Sequence, residues 1–158
     1  MERPRFVIEQ VALAPKDPQA AKKLLRDMGA QEWAEDHVCA HGEVFGEYTA
    51  NQADLSFNYD IIAGKELEVL HYTKGKNWLN ERNVNTVSHL GMHCSCEDLS
   101  YWKGFFRQRG IKIAQEVDTI SHTNPVIKGK RQYSYVIFDT KSILGVDVKF
   151  IVRHIISE

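Results

Sequence analysis

The chain lacks the features that commit a sequence to a disulfide framework, to nucleic acid or to a lipid bilayer. Its three cysteines, Cys39, Cys94 and Cys96, are an odd number without framework spacing, so we expect reduced thiols in a cytoplasmic protein. A net charge of −1 provides no basic surface for nucleic acid or an anionic membrane. No apolar run approaches the roughly 20 residues of a membrane span, and the opening MERPRFVIEQ lacks the apolar core of a signal peptide.

Sequence motifs of several enzyme classes are also missing. The chain has no phosphate-binding glycine loop, no G-x-S-x-G turn and no H-E-x-x-H pair. Its 158 residues fit one domain. These absences favour small-molecule chemistry or small-molecule binding by one globular domain, residues 1–158.

Two segments of the chain follow the same plan of a strand and then a helix. In the first, Asp17 is the expected N-cap, Pro18 the first helical residue and Gly29 the end of the helix. In the second, Ser95 or Asp98 caps a helix that Gly110 ends. The apolar residues of each helix recur at helical spacing: Ala21, Leu24, Leu25 and Met28 in the first; Leu99, Trp102, Phe105 and Phe106 in the second.

Equivalent positions of the two segments lie at a nearly constant distance along the chain. The offset is 81 residues between Gly29 and Gly110, 81 between Glu68 and Lys149, and 79 between Gln10 and His89. Such spacing indicates a duplicated unit. We predict an α+β domain of two βαβββ modules, at about 5–75 and 86–155, joined by a polar linker at about 73–86. A second loop, DTISHTNPVIKGKR, interrupts the strands of the second module.

Alternation along each predicted strand separates an apolar face from a polar face. We expect the apolar faces to lie under the helices and the polar faces to line a cup between the modules. For the segment ADLSFNYD this places Leu55, Phe57 and Tyr59 under the helices. The predicted cup-facing residues of the other strands are Gln10; Glu66, Glu68 and Tyr72; His89 and His93; Tyr133 and Tyr135; and Asp147, Lys149 and Arg153. A solvent-exposed polar face is the alternative, since antiparallel sheets often have one.

This pattern resembles the vicinal oxygen chelate superfamily, the glyoxalase, bleomycin-resistance and extradiol dioxygenase group, over nearly the whole chain. That resemblance implies a cup-shaped, mostly antiparallel sheet with helices outside. It also implies metal ligands on the first and last strands of each module. IEQVALAPKD places Gln10, and VSHLGMHC places His89, at the first-strand positions; KELEVL places Glu68 at a last-strand position.

The fourth ligand position departs from the superfamily's pattern. GVDVKF places Lys149 there, and a protonated lysine has no lone pair for a metal. One alternative is a register shift that makes Asp147 the ligand. Another is that the Lys149 ammonium replaces the cation by pairing with Glu68, for which we predict salt-bridge distance. A zinc cluster of His89, His93, Cys94 and Cys96 is disfavoured because Cys94 falls on the apolar face.

Two functions follow from the resemblance. The first is a metal-assisted lyase, isomerase or dioxygenase that holds Mn, Fe, Ni or Zn through Gln10, Glu68 and His89, with Asp147 as a possible fourth ligand. Hydrogen bonds or proton transfer would then come from His93, Tyr133 and Tyr135. The alternative is a metal-free protein that sequesters a planar or anionic ligand through Tyr72, Tyr133, Tyr135, Lys149 and Arg153. We expect a small molecule and a second copy of the chain as partners.

Overall fold

A computed structural model describes residues 2–82 and 85–156 and contains two βαβββ units in succession. The first comprises β1 (Gln10–Ala14), α1 (Pro18–Asp27), β2 (Trp33–Val44), β3 (Glu47–Asn58) and β4 (Glu66–Lys74). A 3-10 helix, Trp78–Glu81, follows it. The second comprises β5 (Thr86–His93), α2 (Cys96–Gln108), β6 (Ile113–Ser121), β7 (Arg131–Phe138) and β8 (Asp147–Ile155), with a four-residue helix α3 (Lys141–Leu144) before β8.

The eight strands close into one barrel in the order β1-β4-β3-β2-β6-β7-β8-β5. Each unit contributes four consecutive strands arranged alike: β1 is parallel to β4, and β5 is parallel to β8. The remaining neighbours are antiparallel, including the two seams between the units, β1 with β5 and β2 with β6. The prediction of an α+β fold built from duplicated βαβββ modules is confirmed.

The ends of both long helices agree with the capping residues predicted from the sequence. Asp17 accepts a hydrogen bond from the backbone N–H of Ala20 at 3.0 Å, and Ser95, rather than Asp98, caps α2 by accepting from the N–H of Asp98 at 3.1 Å. Gly29 and Gly110 follow the helices with φ of +113° and +70°, conformations that favour glycine.

An aromatic core fixes α2 on the outer face of the second unit. Trp102 stacks on Phe150 of β8 at 5.3 Å between ring centroids, and Phe106 stacks on Phe138 of β7 at 4.3 Å. Met92 and Val148 complete this buried cluster. The predicted apolar stripe of α2 therefore packs as expected.

The predicted apolar stripe of α1 is wrong at two positions. Leu24 and Met28 are 61% and 65% exposed, whereas Lys22 is buried. The Lys22 ammonium bonds to Glu35 at 3.1 Å and to the Ser56 hydroxyl at 3.2 Å, so a polar contact replaces the expected apolar one between helix and sheet.

The predicted side of β3 is also wrong. Phe57 pairs directly with Glu68 of β4, and directly opposed residues share a face. Leu55, Phe57 and Tyr59 consequently line the barrel interior, while Ser56 faces α1. The first unit therefore carries apolar groups inside the barrel, at positions where strand alternation predicts polar ones.

The predicted polar linker between the modules contains an ordered turn with two buried apolar side chains. Within TKGKNWLNERNVNT, the 3-10 helix carries buried Trp78 and Leu79, which pack in the interior core with Leu70 and Ile137. Asn83 and Val84 lie outside the described residues. In the described part of the chain, no helix is both long and apolar enough to cross a membrane.

The aromatic core predicts a large loss of stability on truncation of Phe106. Phe106→Ala should lower the free energy of unfolding by about 3–5 kcal/mol, because it removes a buried ring that stacks on Phe138. Urea denaturation measures the change. Ile143→Ala is the control, since Ile143 is 70% exposed and its truncation should cost less than about 0.5 kcal/mol. Equal losses in the two variants would contradict this account of α2.

Candidate functional site

Four polar side chains meet inside the barrel at the positions singled out in the sequence. Gln10 lies on β1, Glu68 on β4, His89 on β5 and Lys149 on β8. All four are at most 4% exposed, although groups of this kind normally remain in water. We call them the floor cluster. The convergence predicted for Gln10, Glu68 and His89 is confirmed.

Small residues between the strands make room for this cluster. Ala12 pairs with Glu68 on one side and with His89 on the other, and Gly91 pairs with both Gln10 and Lys149. A Cβ atom at Gly91 would stand 3.0 Å from Gln10 Oε1, which is tighter than side chains tolerate without moving. The register of the parallel pairs β1–β4 and β5–β8 therefore brings the side chains of the floor cluster together over Ala12 and Gly91.

Hydrogen bonds fix the orientation of Gln10 and the tautomer of His89. The Gln10 amide nitrogen donates to Glu66, which leaves Gln10 Oε1 facing His89 Nε2 at 2.7 Å. Nε2 must then carry the proton and donate it. The other ring nitrogen, Nδ1, lies 3.3 Å from the Ser88 hydroxyl. Burial, and then the charge of Lys149, hold the His89 pKa well below its usual range, so the ring is neutral.

Glu68 is the least satisfied group of the floor cluster. Neither carboxylate oxygen has a hydrogen-bond partner in residues 2–82 and 85–156. His89 Nε2 lies 3.7 Å from Oε1, and Lys149 Nζ lies 3.9 Å from Oε2. Burial raises the Glu68 pKa, and the nearby Lys149 charge opposes that rise. A buried carboxylate with free acceptor positions is costly, so this point of the barrel favours an additional bound group.

Lys149 provides the opposite charge, and the predicted salt-bridge distance to Glu68 is confirmed at 3.9 Å. Its ammonium also lies 3.9 Å from the centroid of the Tyr135 ring, a cation–π contact. Burial lowers the Lys149 pKa, whereas the charges of Glu68 and Glu66 raise it. The ammonium is thus held between a carboxylate and an aromatic face.

Two neighbouring cavities lead into the barrel and to the floor cluster. The outer cavity has a volume of about 230 Å³, and Gln10 and Glu66 form part of its lining. The inner cavity has a volume of about 20 Å³, enough for one water-sized group, and contacts Glu68 and Lys149. The residues that border both cavities are Val38, Leu55, Thr119 and Tyr135.

Several residues of the outer cavity were missed in the sequence. Asn124, Val126 and Ile127 belong to the loop that follows β6 and line part of the outer cavity. The interrupted strand pattern of DTISHTNPVIKGKR was the signal available for them, although β6 extends through its first four residues. Asp36 of β2 was also missed; its Oδ1 anchors this loop by accepting hydrogen bonds from Ser121 Oγ, Thr123 N, Thr123 Oγ1 and Asn124 N.

The other predicted site residues take different positions. Tyr133 and Tyr135 stack with 6.2 Å between centroids and line the outer cavity. Tyr72 borders the inner cavity and accepts a hydrogen bond from Gln115 at 2.9 Å. His93 is exposed at the rim of the outer cavity. Arg153 is exposed and lies outside the lining of these two cavities, but it lines an adjoining open depression with His93, Cys94 and Ile151, two of which, His93 and Ile151, also line the outer cavity. Its contact with a ligand stays a prediction.

Asp147 does not join the floor cluster as the alternative fourth ligand. Its carboxylate accepts hydrogen bonds from Arg82 Nε at 3.0 Å, from Trp78 Nε1 at 3.1 Å and from the backbone N–H groups of Thr140 and Lys141. These bonds hold the 3-10 helix and the start of α3 against β8. Both oxygens of Asp147 are engaged, so the expected ligand role is corrected to a structural one.

The donor atoms of the floor cluster are spaced like the ligands of a divalent cation, but the charge of the cluster does not suit one. Donors bound to one such ion at about 2.0–2.2 Å lie about 3–3.5 Å from one another, and the distances from His89 Nε2 to Gln10 Oε1 and to Glu68 Oε1 are 2.7 and 3.7 Å. The Lys149 ammonium, however, already supplies a positive charge beside Glu68. Protonated Lys149 therefore does not fit a tightly held metal. Across the described ranges, no three His, Cys, Asp or Glu side chains form a metal-binding group, which also disfavours the zinc cluster.

Solved structures of low sequence identity share the barrel. A methylmalonyl-CoA epimerase from Mycobacterium tuberculosis superposes with a TM-score of 0.54 at 12% identity, covering 92% of this chain and 86% of that one. A Streptomyces coelicolor methylmalonyl-CoA epimerase variant in complex with 2-nitronate-propionyl-CoA gives 0.53 at 15%, covering 93% and 94%. A variant of 4-hydroxymandelate synthase from the same organism gives 0.51 at 13%; it covers 98% of this chain, which spans 51% of that protein.

These likenesses establish the fold and leave the activity open. No family model matches the sequence, and no curated protein matches it significantly. The chain has the vicinal oxygen chelate fold, as the residue pattern predicted.

The buried Glu68 predicts a pH-dependent effect of its replacement. Because its pKa is raised, the folded protein retains the Glu68 proton to a higher pH than the unfolded chain does. That contribution to stability is lost as pH rises above the ordinary glutamate pKa of about 4.3. Gln does not ionise, so the Glu68→Gln variant does not lose this stability as pH rises. The unfolding free energy of the variant minus that of the wild type should therefore increase from about pH 4 to pH 7. Urea titrations across this range measure it. Exposed Glu97→Gln is the control; a flat difference for both variants would refute the burial effect.

The charge argument predicts that Lys149→Glu creates a metal site. Wild-type protein should bind Mn²⁺ and Zn²⁺ weakly in titration calorimetry, and the variant should bind about tenfold or more tightly, because a carboxylate oxygen replaces the ammonium and becomes the fourth donor. Lys112→Glu makes the same charge change at an exposed position and should leave the affinity unchanged. Tight binding by the wild type would show that Lys149 does not exclude the cation.

Proposed function

We propose that this protein is a metal-independent isomerase that transfers a proton beside a carbonyl group of a small molecule bound in the cup. The observation that carries the proposal is Glu68, a buried carboxylate without a hydrogen-bond partner in the described part of the chain, 3.9 Å from the Lys149 ammonium. At this distance Glu68 can remove a proton from a bound molecule while Lys149 stabilises the negative charge that develops on it.

Glu68 is the proposed base. Its raised pKa moves the carboxylate towards the neutral range, where a base both accepts a proton and returns it effectively. The proton leaves the carbon next to the substrate carbonyl, and the C–H electron pair forms a C=C bond while the carbonyl π electrons move to oxygen. Glu68 then returns the proton to a carbon of the resulting enolate, which regenerates the base.

Lys149 is the proposed partner of the substrate oxygen. An ammonium fixed before the reaction stabilises negative charge that develops on that oxygen. The Tyr135 ring and the Glu68 carboxylate hold it in place. The inner cavity of about 20 Å³ admits one oxygen atom but not a ring, so the body of the substrate must remain in the outer cavity.

Tyr135 and His89 position these groups. Burial holds the Tyr135 pKa well above its usual value, so the phenol stays neutral beside the reacting charges. Neutral His89 donates a hydrogen bond from Nε2 to Gln10 Oε1. This bond holds Nε2 at 3.7 Å from Glu68 Oε1. These roles differ from the metal-ligand role that the superfamily resemblance implies for Gln10 and His89.

A sequestering protein is the second candidate. The outer cavity presents Phe57, Tyr59 and the stacked pair Tyr133–Tyr135, and such aromatic walls suit a planar ligand held without chemistry. In that function the floor cluster would only bind an oxygen of the ligand. The two candidates differ in whether a carbon-bound proton exchanges.

Deuterium exchange tests the proposal directly. The wild-type protein is incubated in D₂O with a panel of 2-substituted oxo acids and malonyl-type thioesters, and NMR follows the carbon beside the carbonyl. We expect exchange of at least one compound, insensitive to a chelator and reduced about 100-fold or more in Glu68→Gln. Lys149→Met should also lose exchange, whereas exposed Glu97→Gln should retain it.

Three other outcomes would contradict the proposal. Exchange that stops with chelator and returns with a divalent metal would support the metal-assisted function. Exchange that persists in Glu68→Gln would place the base elsewhere. Binding without exchange for every compound would favour the sequestering function.

A further inference from the structure

The two carboxylate oxygens of Asp36, at the side of the cup, have different surroundings. Its Oδ1 accepts four hydrogen bonds of 2.8–3.2 Å from Ser121, Thr123 and Asn124. Its Oδ2 is buried and has no hydrogen-bond partner within the described ranges. One oxygen therefore secures the loop after β6, and the other remains free to accept.

Asp36 lies on the face of β2 that points into the cup. Buried and less buried residues alternate along β2, and Asp36 shares the interior face with Val38, which borders both cavities. Asp36 is 4% exposed and contributes to the lining of the outer cavity. A free carboxylate oxygen without water carries a desolvation cost, which a donor group on a ligand would remove.

Charge in the outer cavity favours a cationic partner. Its lining contains the carboxylates of Asp36 and Glu66 and a single guanidinium, that of Arg131. The Gln10 amide already donates to Glu66, and no comparable donor reaches Asp36 Oδ2 from the described residues. This differs from the anionic ligand group that Lys149 and Arg153 indicate in the sequence.

We infer that Asp36 is a specificity-determining residue that binds an ammonium or amidinium group of the ligand through Oδ2. The contact of the cationic group with Asp36 does not depend on the proposed function. Only the placement of a ligand oxygen at Lys149, at the opposite end of the ligand, rests on it. The preferred ligand is then a compact molecule with an oxygen at one end and a cationic nitrogen at the other. Because Oδ1 anchors the loop, the cationic end lies beneath residues 124–127.

A matched pair of probes tests this inference. Tyramine and 4-propylphenol have the same number of non-hydrogen atoms and the same phenol, and they differ in the terminal ammonium. Titration calorimetry with the wild type should show about tenfold or greater preference for tyramine, the strength expected of a hydrogen bond to a charged group. Asp36→Asn should abolish the preference, which is the ratio of the two affinities and therefore does not depend on any general change that the variant causes in the cup.

Thr123→Ala is the matched control. It removes the hydrogen bond that the Thr123 hydroxyl donates to Asp36 Oδ1 and the one that it accepts from the His37 backbone N–H, and it leaves Oδ2 in place, so the preference for tyramine should persist. Equal binding of both probes to the wild type would overturn the inference while leaving the proton-transfer proposal intact. A preference that survives in Asp36→Asn and disappears in Glu66→Gln would assign the cation to Glu66 and also overturn it. Binding of neither probe would count against both the Asp36 inference and the cup as a small-molecule site.

Discussion

The structure depends on the mutual neutralisation of Glu68 and Lys149 within a closed barrel. Strand closure removes both groups from water, and neither could be buried cheaply in charged form alone. At 3.9 Å the pair compensates its charges without a direct hydrogen bond, which leaves acceptor positions on Glu68. The same arrangement explains why a divalent cation is disfavoured and why a polar group of a ligand would be favoured. Charge balance is therefore the observation on which the proposed metal-independent function rests, since the shared fold leaves the function open.

The repeat and the helix ends could be predicted from the sequence because they rest on local chemistry. Asp17, Ser95 and the two glycines act within a few residues of their own positions. The side of β3 could not be predicted in this way, since alternation separates two faces without saying which one points inward. The cross-strand pair Phe57–Glu68 makes that choice, and such pairs form only when the sheet does.

The floor cluster could also be predicted, since the 79- and 81-residue offsets align Gln10 with His89 and Glu68 with Lys149. Asp36 and the loop over the cup could not. They meet across the seam between β2 and β6, which joins residues about 85 positions apart from different modules. Trp78 was missed for another reason: one large side chain in a polar segment contributes little to composition, yet it fills the interior and bonds to Asp147.

The pseudo-symmetry of the barrel has a consequence for how such a site can arise. Glu68 and Lys149 occupy equivalent strands, so two identical copies of the first module would bury two glutamates against each other, and two copies of the second would bury two lysines. Like charges inside a protein repel and cannot both ionise. An assembly of identical half-barrels could not hold this ion pair. The ion pair therefore requires two different halves, and their union in one chain lets each half diverge while keeping the two paired one to one.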